Sequence, residues 1–143
     1  MENNQIIIVS ACLAGFNCRY DGSNKENKEI IELIKQGKAI AVCPEQLGGL
    51  ATPRKAVEGP INEKVFSADG EDFTDSFNKG ANEVLNLCKR INCKKAILKS
   101  YSPSCGCGKI YDGNFNGTLI DGYGTTAKLL KENGIEVVTE KDI

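Results

Sequence analysis

The sequence contains no histidine among its 143 residues. Histidine is the side chain that most often serves as a general base near neutral pH, and its neutral imidazole is the commonest protein ligand of metal ions. Its absence excludes every catalytic triad that depends on histidine. Any chemistry of this chain must therefore use thiolates, carboxylates, hydroxyls, lysines or a cofactor.

The chain also lacks a charge imbalance and a long apolar run. Its net charge is −1, which gives no electrostatic footprint for an anionic membrane, and no stable complex with nucleic acid is expected. The longest apolar runs are far below the ~20 residues that cross a bilayer. The first four residues lack the basic and apolar regions of a signal peptide. We expect a cytoplasmic protein in which residues 1–143 form a single domain.

Cysteine is the residue type that stands out, with seven copies. An odd number of cysteines in a reducing compartment argues against a disulfide framework. It favours metal, cofactor or thiol chemistry instead.

Apolar periodicity predicts strands that alternate with helices. Strands are predicted over 5–9, 39–42, 63–67, 96–98 and 136–139, and helices over 27–36, 74–90 and 125–133. Thr74 is predicted to cap the second helix, residues 44–62 to form a long loop, and residues 109–119 to form a hairpin-like excursion. The alternation predicts an α/β fold, a single-domain Rossmann-like or flavodoxin-like mainly parallel sheet flanked by helices.

Three cysteines follow predicted strands. Cys12, Cys43 and Cys105 come after the first, second and third buried strands, and ligands of open α/β sheets bind at the carboxyl ends of strands. The topology therefore predicts that these thiols meet at one edge. Such thiols could hold an iron–sulfur cluster with one iron left open, or share a zinc ion with a fourth ligand. Cys18 or Cys107 could be that ligand or a neighbour without function, and Cys105 with Cys107 could alternatively form a redox dithiol.

The two remaining cysteines give no signal of a site. Cys88 falls on the apolar face of the helix predicted over 74–90 and is interpreted as a core residue. Cys93, between that helix and the next strand, is assigned no role.

Six short motifs closely resemble the thiouracil desulfidase (TudS) family, long catalogued as a domain of unknown function. They are Ser10–Gly15, Cys18–Gly22, Cys43–Glu45, Gly48–Leu50, Pro53–Arg54 and Ser102–Gly106. The likeness continues through Ile110–Gly113 and Gly122 to Thr126, so it covers essentially the whole chain. The chain resembles the short, single-domain members of the family. Two departures are Lys55, where relatives often have a second proline, and the extra thiol of Cys107.

The resemblance implies a [4Fe-4S] cluster on three cysteines, with the fourth iron open to the sulfur of the substrate. Matched motif by motif, the ligands would be Cys12, Cys43 and Cys105. Glu45 matches the catalytic carboxylate of the family and is expected to activate water or to pass a proton during cleavage of the C–S bond.

The serines near Cys105 match the substrate-facing loop of the family. Ser102 is favoured as the serine that orients the base during catalysis, and Ser100 and Ser104 are expected to contribute to substrate binding. Arg54 is predicted to bind substrate, and the alternative is a loop ion pair with Glu58.

The reaction that the resemblance implies is redox-neutral. The C=S group of a thiolated nucleobase, such as 2-thiouracil, and water would give C=O and hydrogen sulfide. The partner would be this small molecule, without a membrane, and the chain would be a monomer or a homodimer. The alternatives are a thiol-redox or sulfur-transfer enzyme that uses Cys105 and Cys107, and a non-catalytic metal-binding module.

Overall fold

A four-stranded parallel sheet forms the centre of the computed structural model, which describes residues 5–143. In order along the sheet the strands are β2 (Ala39–Val42), β1 (Ile7–Ser10), β5 (Lys95–Leu98) and β8 (Glu136–Thr139). The expectation for the first four residues falls outside the described residues. No helix in the described part of the chain is both long and apolar enough to span a bilayer.

Within residues 5–143, four α-helices and two antiparallel hairpins surround this sheet. The helices are α1 (Lys28–Lys35), α2 (Pro44–Leu47), α3 (Thr74–Arg90) and α4 (Thr125–Glu132), and the hairpins are β3 (Val57–Ile61) with β4 (Lys64–Ser67) and β6 (Cys107–Tyr111) with β7 (Leu119–Tyr123). The predicted α/β class with a mainly parallel sheet is confirmed.

The central strands β1 and β5 are buried on both faces, as their continuous apolar runs indicate. Ile8 and Val9 of β1 are both fully buried and point to opposite faces of the sheet. Ile8 belongs to the cluster that α3 and α4 cover through residues such as Val84 and Leu130. Val9 belongs to the cluster that α1 covers through Ile30. The helices therefore cover both faces and leave the carboxyl ends of the strands open to the loops.

The long loop predicted over 44–62 is wrong in two places. Pro44 begins the short helix α2, where its fixed φ suits the first helical position. Val57–Ile61 forms β3 although it contains Gly59 and Pro60. It pairs with the neighbouring strand β4 in a hairpin, and an irregularity in the register between Glu58 and Ile61 accommodates these two residues. Proline is tolerated in such edge strands.

Thr74 does not cap α3, contrary to the sequence prediction. The helix begins at Thr74 itself, with Phe73 in the cap position. The Oδ1 atom of Asp72 accepts the backbone N–H of Thr74 at 2.8 Å. The Thr74 hydroxyl instead accepts the N–H of Val65 at 3.2 Å, which ties α3 to β4.

Helix α2 sits directly on α3 through two glycines. A Cβ atom on Gly48 would overlap the carbonyl oxygen of Ser76, and a Cβ atom on Gly80 would overlap that of Pro44. The two backbones are therefore in contact with no side chain between them. This contact fixes the segment that follows Cys43.

Candidate metal centre and active site

Cys12, Cys43 and Cys105 lie at the carboxyl ends of three neighbouring strands. Cys12 lies in a 3₁₀ turn after β1, Cys43 occupies the cap position between β2 and α2, and Cys105 lies in the loop after β5. Because β1 lies between β2 and β5, the three loops meet where the strand order reverses. All three residues line one cavity of about 490 Å³.

The three thiols differ in their electrostatic surroundings. Burial, followed by the charge of Glu45, raises the pKa of Cys12 to about 11. The same causes in the same order raise the pKa of Cys105. A hydrogen bond from the Cys18 thiol lowers the pKa of Cys43. Because metal ions bind thiolates, a bound metal must displace the protons of Cys12 and Cys105.

The donor set suits an iron–sulfur cluster. Thiolates are the ligands that such clusters use in proteins, and each protein thiolate of a cluster binds its own iron atom. Within residues 5–143, no three cysteine, aspartate or glutamate side chains converge closely enough to share a single metal ion. The thiols of Cys12, Cys43 and Cys105 surround a common cavity, and this arrangement fits a cluster bound by three cysteines.

Glu45 lines the same cavity from the first turn of α2. Its side chain is 13% exposed, and its Oε2 atom lies 3.9 Å from Nη2 of Arg54. Its Oε1 atom lies 3.9 Å from Sγ of Cys43. Burial raises the pKa of Glu45 above its ordinary value, and the Arg54 cation opposes that shift. A buried carboxylate beside a cavity can accept a proton from a water molecule there.

The guanidinium group of Arg54 donates hydrogen bonds to three oxygen atoms of the protein. Nη2 donates to the carbonyl oxygen of Cys18 at 2.9 Å, and Nη1 donates to Ala51 O at 3.3 Å and to Thr52 Oγ1 at 3.0 Å. Its carboxylate neighbour is Glu45. Arg54 therefore ties the loop of Cys18 to its own loop and to the catalytic candidate Glu45.

The alternative role for Arg54, an ion pair with Glu58, is wrong. The Oε1 atom of Glu58 accepts the backbone N–H groups of Gly113 at 3.0 Å and of Phe115 at 3.1 Å. These donors belong to the turn between β6 and β7. Glu58 thus fixes the tip of that hairpin at the cavity, where Phe115 is one of the lining residues.

Ser102 lies at the cavity and organises the Cys105 turn. Its Oγ atom accepts the backbone N–H of Ser104 at 3.1 Å and that of Cys105 at 3.0 Å. The hydroxyl proton remains available to a bound molecule. Ser104 is fully buried, does not line the cavity, and shares a 2.7 Å hydrogen bond with Thr126. Of these two serines, only Ser102 is positioned to touch a substrate.

Ser100 contacts the C-terminal turn. Its N–H and hydroxyl donate to the two carboxylate oxygens of Glu140 at 2.8 and 2.7 Å. Nζ of Lys99 lies 3.2 Å from the same carboxylate. Burial alone would raise the pKa of Glu140, but the hydrogen bonds from Ser100 and the charge of Lys99 hold that pKa below its ordinary value. This cluster anchors the start of the serine loop.

Cys18 and Cys107 occupy different environments. Cys18 is 5% exposed and lines the cavity with the three candidate ligands. Cys107 does not line it, and its thiol donates to the carbonyl oxygen of Val137 at 3.4 Å. The fourth thiol at the cavity therefore belongs to Cys18.

Several cavity residues were not singled out as site residues in the sequence. Ser10 ends β1, Lys99 follows β5, and Tyr111 and Phe115 come from the second hairpin. Ser10 and Lys99 could have been found by extending the strand-end argument to every polar residue at a carboxyl end. Tyr111 and Phe115 depend on how the hairpin folds back, which periodicity does not report.

Comparisons with known proteins show what this chain is similar to. The chain is 44% identical over 147 residues to the uncharacterized protein YbbK of Bacillus subtilis (strain 168), covering 96% of this chain and 97% of that protein. It is 43% identical to a solved structure described as the [4Fe-4S]-dependent thiouracil desulfidase TudS, with a TM-score of 0.93 and coverage of 97% of this chain and 93% of that one. The family model described as 2-thiouracil desulfurase matches residues 7–142. The chain therefore belongs to the 2-thiouracil desulfurase family.

Proposed function

We propose that this chain removes sulfur from a thiolated nucleobase of the 2-thiouracil type, with a [4Fe-4S] cluster held by Cys12, Cys43 and Cys105. The C=S group and water become C=O and hydrogen sulfide, so the reaction consumes no electron donor or acceptor. One observation carries the proposal: three thiols from separate loops and the buried Glu45 line one cavity. Membership of the family and the likeness to TudS support it.

When bound, the cluster supplies a Lewis-acidic iron suited to a soft sulfur donor. The protein must then provide the proton transfers. Glu45 takes a proton from the attacking water. Because burial raises the pKa of Glu45, that pKa lies closer to neutral pH, which makes the carboxylate a stronger base. Arg54 holds Glu45 against the cavity and keeps part of its charge compensated.

Ser102 and Tyr101 orient the base in this proposal. Because the Ser102 oxygen already accepts two backbone N–H groups, its proton is free to donate to an oxygen or nitrogen of the base. Tyr101 lines the cavity beside it and provides an aromatic surface for a planar ring. Fixed positions for water, carboxylate and base lower the entropic part of the barrier.

The proposal is tested by anaerobic reconstitution with iron and sulfide, followed by metal analysis and an assay with 2-thiouracil. We expect about four iron and four sulfide per chain, and formation of uracil and hydrogen sulfide in equal amounts without a reductant. A chain without iron refutes the cluster. A loaded chain that needs a dithiol for turnover refutes the redox-neutral reaction.

The proposed setting is the reducing cytoplasm, in keeping with seven free cysteines. A small thiolated base remains the proposed partner, and the choice between monomer and homodimer remains a prediction. A dithiol mechanism is not favoured, because Cys105 contacts Ser10 whereas Cys107 contacts Val137.

A further inference from the structure

Ser10 donates a hydrogen bond to the sulfur of Cys105. The Oγ atom of Ser10 lies 3.2 Å from Sγ of Cys105, and Ser10 is 2% exposed. The backbone N–H of Lys99 donates to the same Oγ atom at 2.9 Å. A hydroxyl has a single proton, and a backbone N–H cannot accept it. The proton of Ser10 is therefore directed to the sulfur.

The position of Ser10 makes this contact rigid. Ser10 is the last residue of the central strand β1 and pairs with Val42 of β2. On the other side, its hydroxyl continues the pairing of β1 with β5, because Lys99 is the first residue after β5. The donor thus belongs to the sheet, whereas Cys105 belongs to a loop. The contact joins residues 95 positions apart.

Cys105 is the candidate ligand whose sulfur accepts a hydrogen bond from a hydroxyl. In the part of the chain that the structure describes, no other side-chain hydrogen bond reaches its sulfur, and none reaches the sulfur of Cys12. Cys43 lies near two acceptors, the Cys18 carbonyl at 3.8 Å and the Glu45 carboxylate at 3.9 Å. The Cys43 sulfur receives the thiol of Cys18, which is a weaker donor than a hydroxyl. The Ser10 hydroxyl therefore distinguishes Cys105 from both other candidate ligands.

We propose that Ser10 is a positioning residue that donates its hydroxyl proton to the Cys105 thiolate, orients it as a ligand and withdraws electron density from it. This inference rests on the proposed cluster. Hydrogen bonds to ligand sulfurs stabilise the more electron-rich state of an iron–sulfur centre and raise its reduction potential. For a redox-neutral desulfidase, the same withdrawal of charge leaves the iron a stronger Lewis acid.

The test compares the wild type with Ser10→Ala, Ser10→Thr and Ser67→Ala, all reconstituted anaerobically. Ser67 is a matched control because it is 5% exposed, bonds Asp69 and does not line the cavity. The readouts are iron per chain and the potential of the cluster in a titration followed by electron paramagnetic resonance. Circular dichroism of the cluster-free chains checks folding.

We expect Ser10→Ala to lower the equilibrium constant for reduction about tenfold, which is about 59 mV for one electron, or to lose the cluster. Ser10→Thr, which keeps the hydroxyl, and Ser67→Ala should retain the wild-type potential. A wild-type potential and iron content in Ser10→Ala overturns the inference, as does a Ser10→Thr protein that matches Ser10→Ala. Failure of the wild type itself to bind iron refutes the proposed function instead.

Discussion

Two groups of buried cysteines in this chain lie in contrasting surroundings. Cys12 and Cys105 lie at the carboxyl edge of the sheet, on a cavity with Glu45. Cys88 and Cys93 are 1% and 4% exposed within the core cluster beneath α3. Burial is the largest cause that raises the pKa of Cys88, to about 12, and the neighbouring thiol of Cys93 is the next. Burial is also the largest cause that raises the pKa of Cys12.

The difference between the groups lies in what surrounds the sulfur. Glu45, Lys99 and Arg19 all act on the pKa of Cys12, whereas the neighbour that acts on the pKa of Cys88 is another thiol, that of Cys93. Burial alone therefore does not mark a functional thiol. A functional thiol is marked instead by a cavity and by ionisable groups beside it. The short separation of Cys88 and Cys93 in the sequence does not indicate a site.

The largest expected effect comes from replacing a cysteine at the cavity, and its absence would contradict the comparison between the two groups. Cys43→Ala should lose nearly all iron and all desulfuration, because three protein ligands are needed to hold the proposed cluster. Cys88→Ala, which removes a buried thiol outside the cavity, should retain both. Iron and sulfide analysis after anaerobic reconstitution provides the measurement. Full iron content in Cys43→Ala, or its loss in Cys88→Ala, contradicts the assignment.

Glu45→Gln sharpens the comparison by removing charge while keeping the thiols. We expect kcat to fall about 10²–10⁴-fold, the usual contribution of a general base, with iron content unchanged. Glu71→Gln, an acid outside the cavity that pairs with Lys55, serves as the control. Single-turnover release of hydrogen sulfide measures the effect. A near-wild-type kcat in Glu45→Gln shows that another group moves the proton.

Cys88→Ala should affect stability alone. Removing a fully buried sulfur leaves a small void in the core, which we expect to lower the free energy of unfolding by about 1–2 kcal/mol. Urea denaturation of the cluster-free chain, compared with the wild type, measures this loss. No change in stability would mean that the core closes over the missing sulfur.

Glu140→Gln should give the smallest effect, one that depends on pH. The pKa of Glu140 is lowered in the folded chain, so its contribution to stability is present above the ordinary carboxylate pKa and is lost as pH falls through the folded value. We expect a difference in unfolding free energy of up to about 1 kcal/mol at pH ~7 that disappears in acid.

Urea denaturation of wild type and Glu140→Gln at several pH values measures this dependence. Glu132→Gln, at an exposed acid on α4, is the control and should show a smaller difference. A difference that grows as pH falls would give the opposite sign and contradict the lowered pKa.

The sequence predicted the regular elements whose signals are local. The limits of β2 and β8 and the C-terminal end of α3 agree with the structure, because apolar periodicity and stop signals lie within each segment. Strand alternation also predicted the edge at which Cys12, Cys43 and Cys105 meet.

Features that depend on distant contacts were not predicted. The bond from Ser10 to Cys105 and that from Ser100 to Glu140 span 95 and 40 positions, and no local pattern encodes them. Strand β3 was missed because its pairing with β4 outweighs the turn propensity of Gly59 and Pro60. The alternative that paired Arg54 with Glu58 failed because the path of its loop places Arg54 beside Glu45.

The glycine contact between α2 and α3 has a consequence for how the enzyme could change. Gly48 and Gly80 bring the two backbones together, and a methyl group on either would collide with a carbonyl oxygen. No larger side chain fits at either glycine without moving a backbone. The position of α2, and with it that of Glu45, therefore cannot be adjusted by small substitutions at this contact. Tyr111 and Phe115 of the second hairpin also line the cavity. They are not part of this backbone contact, so they could vary one side chain at a time.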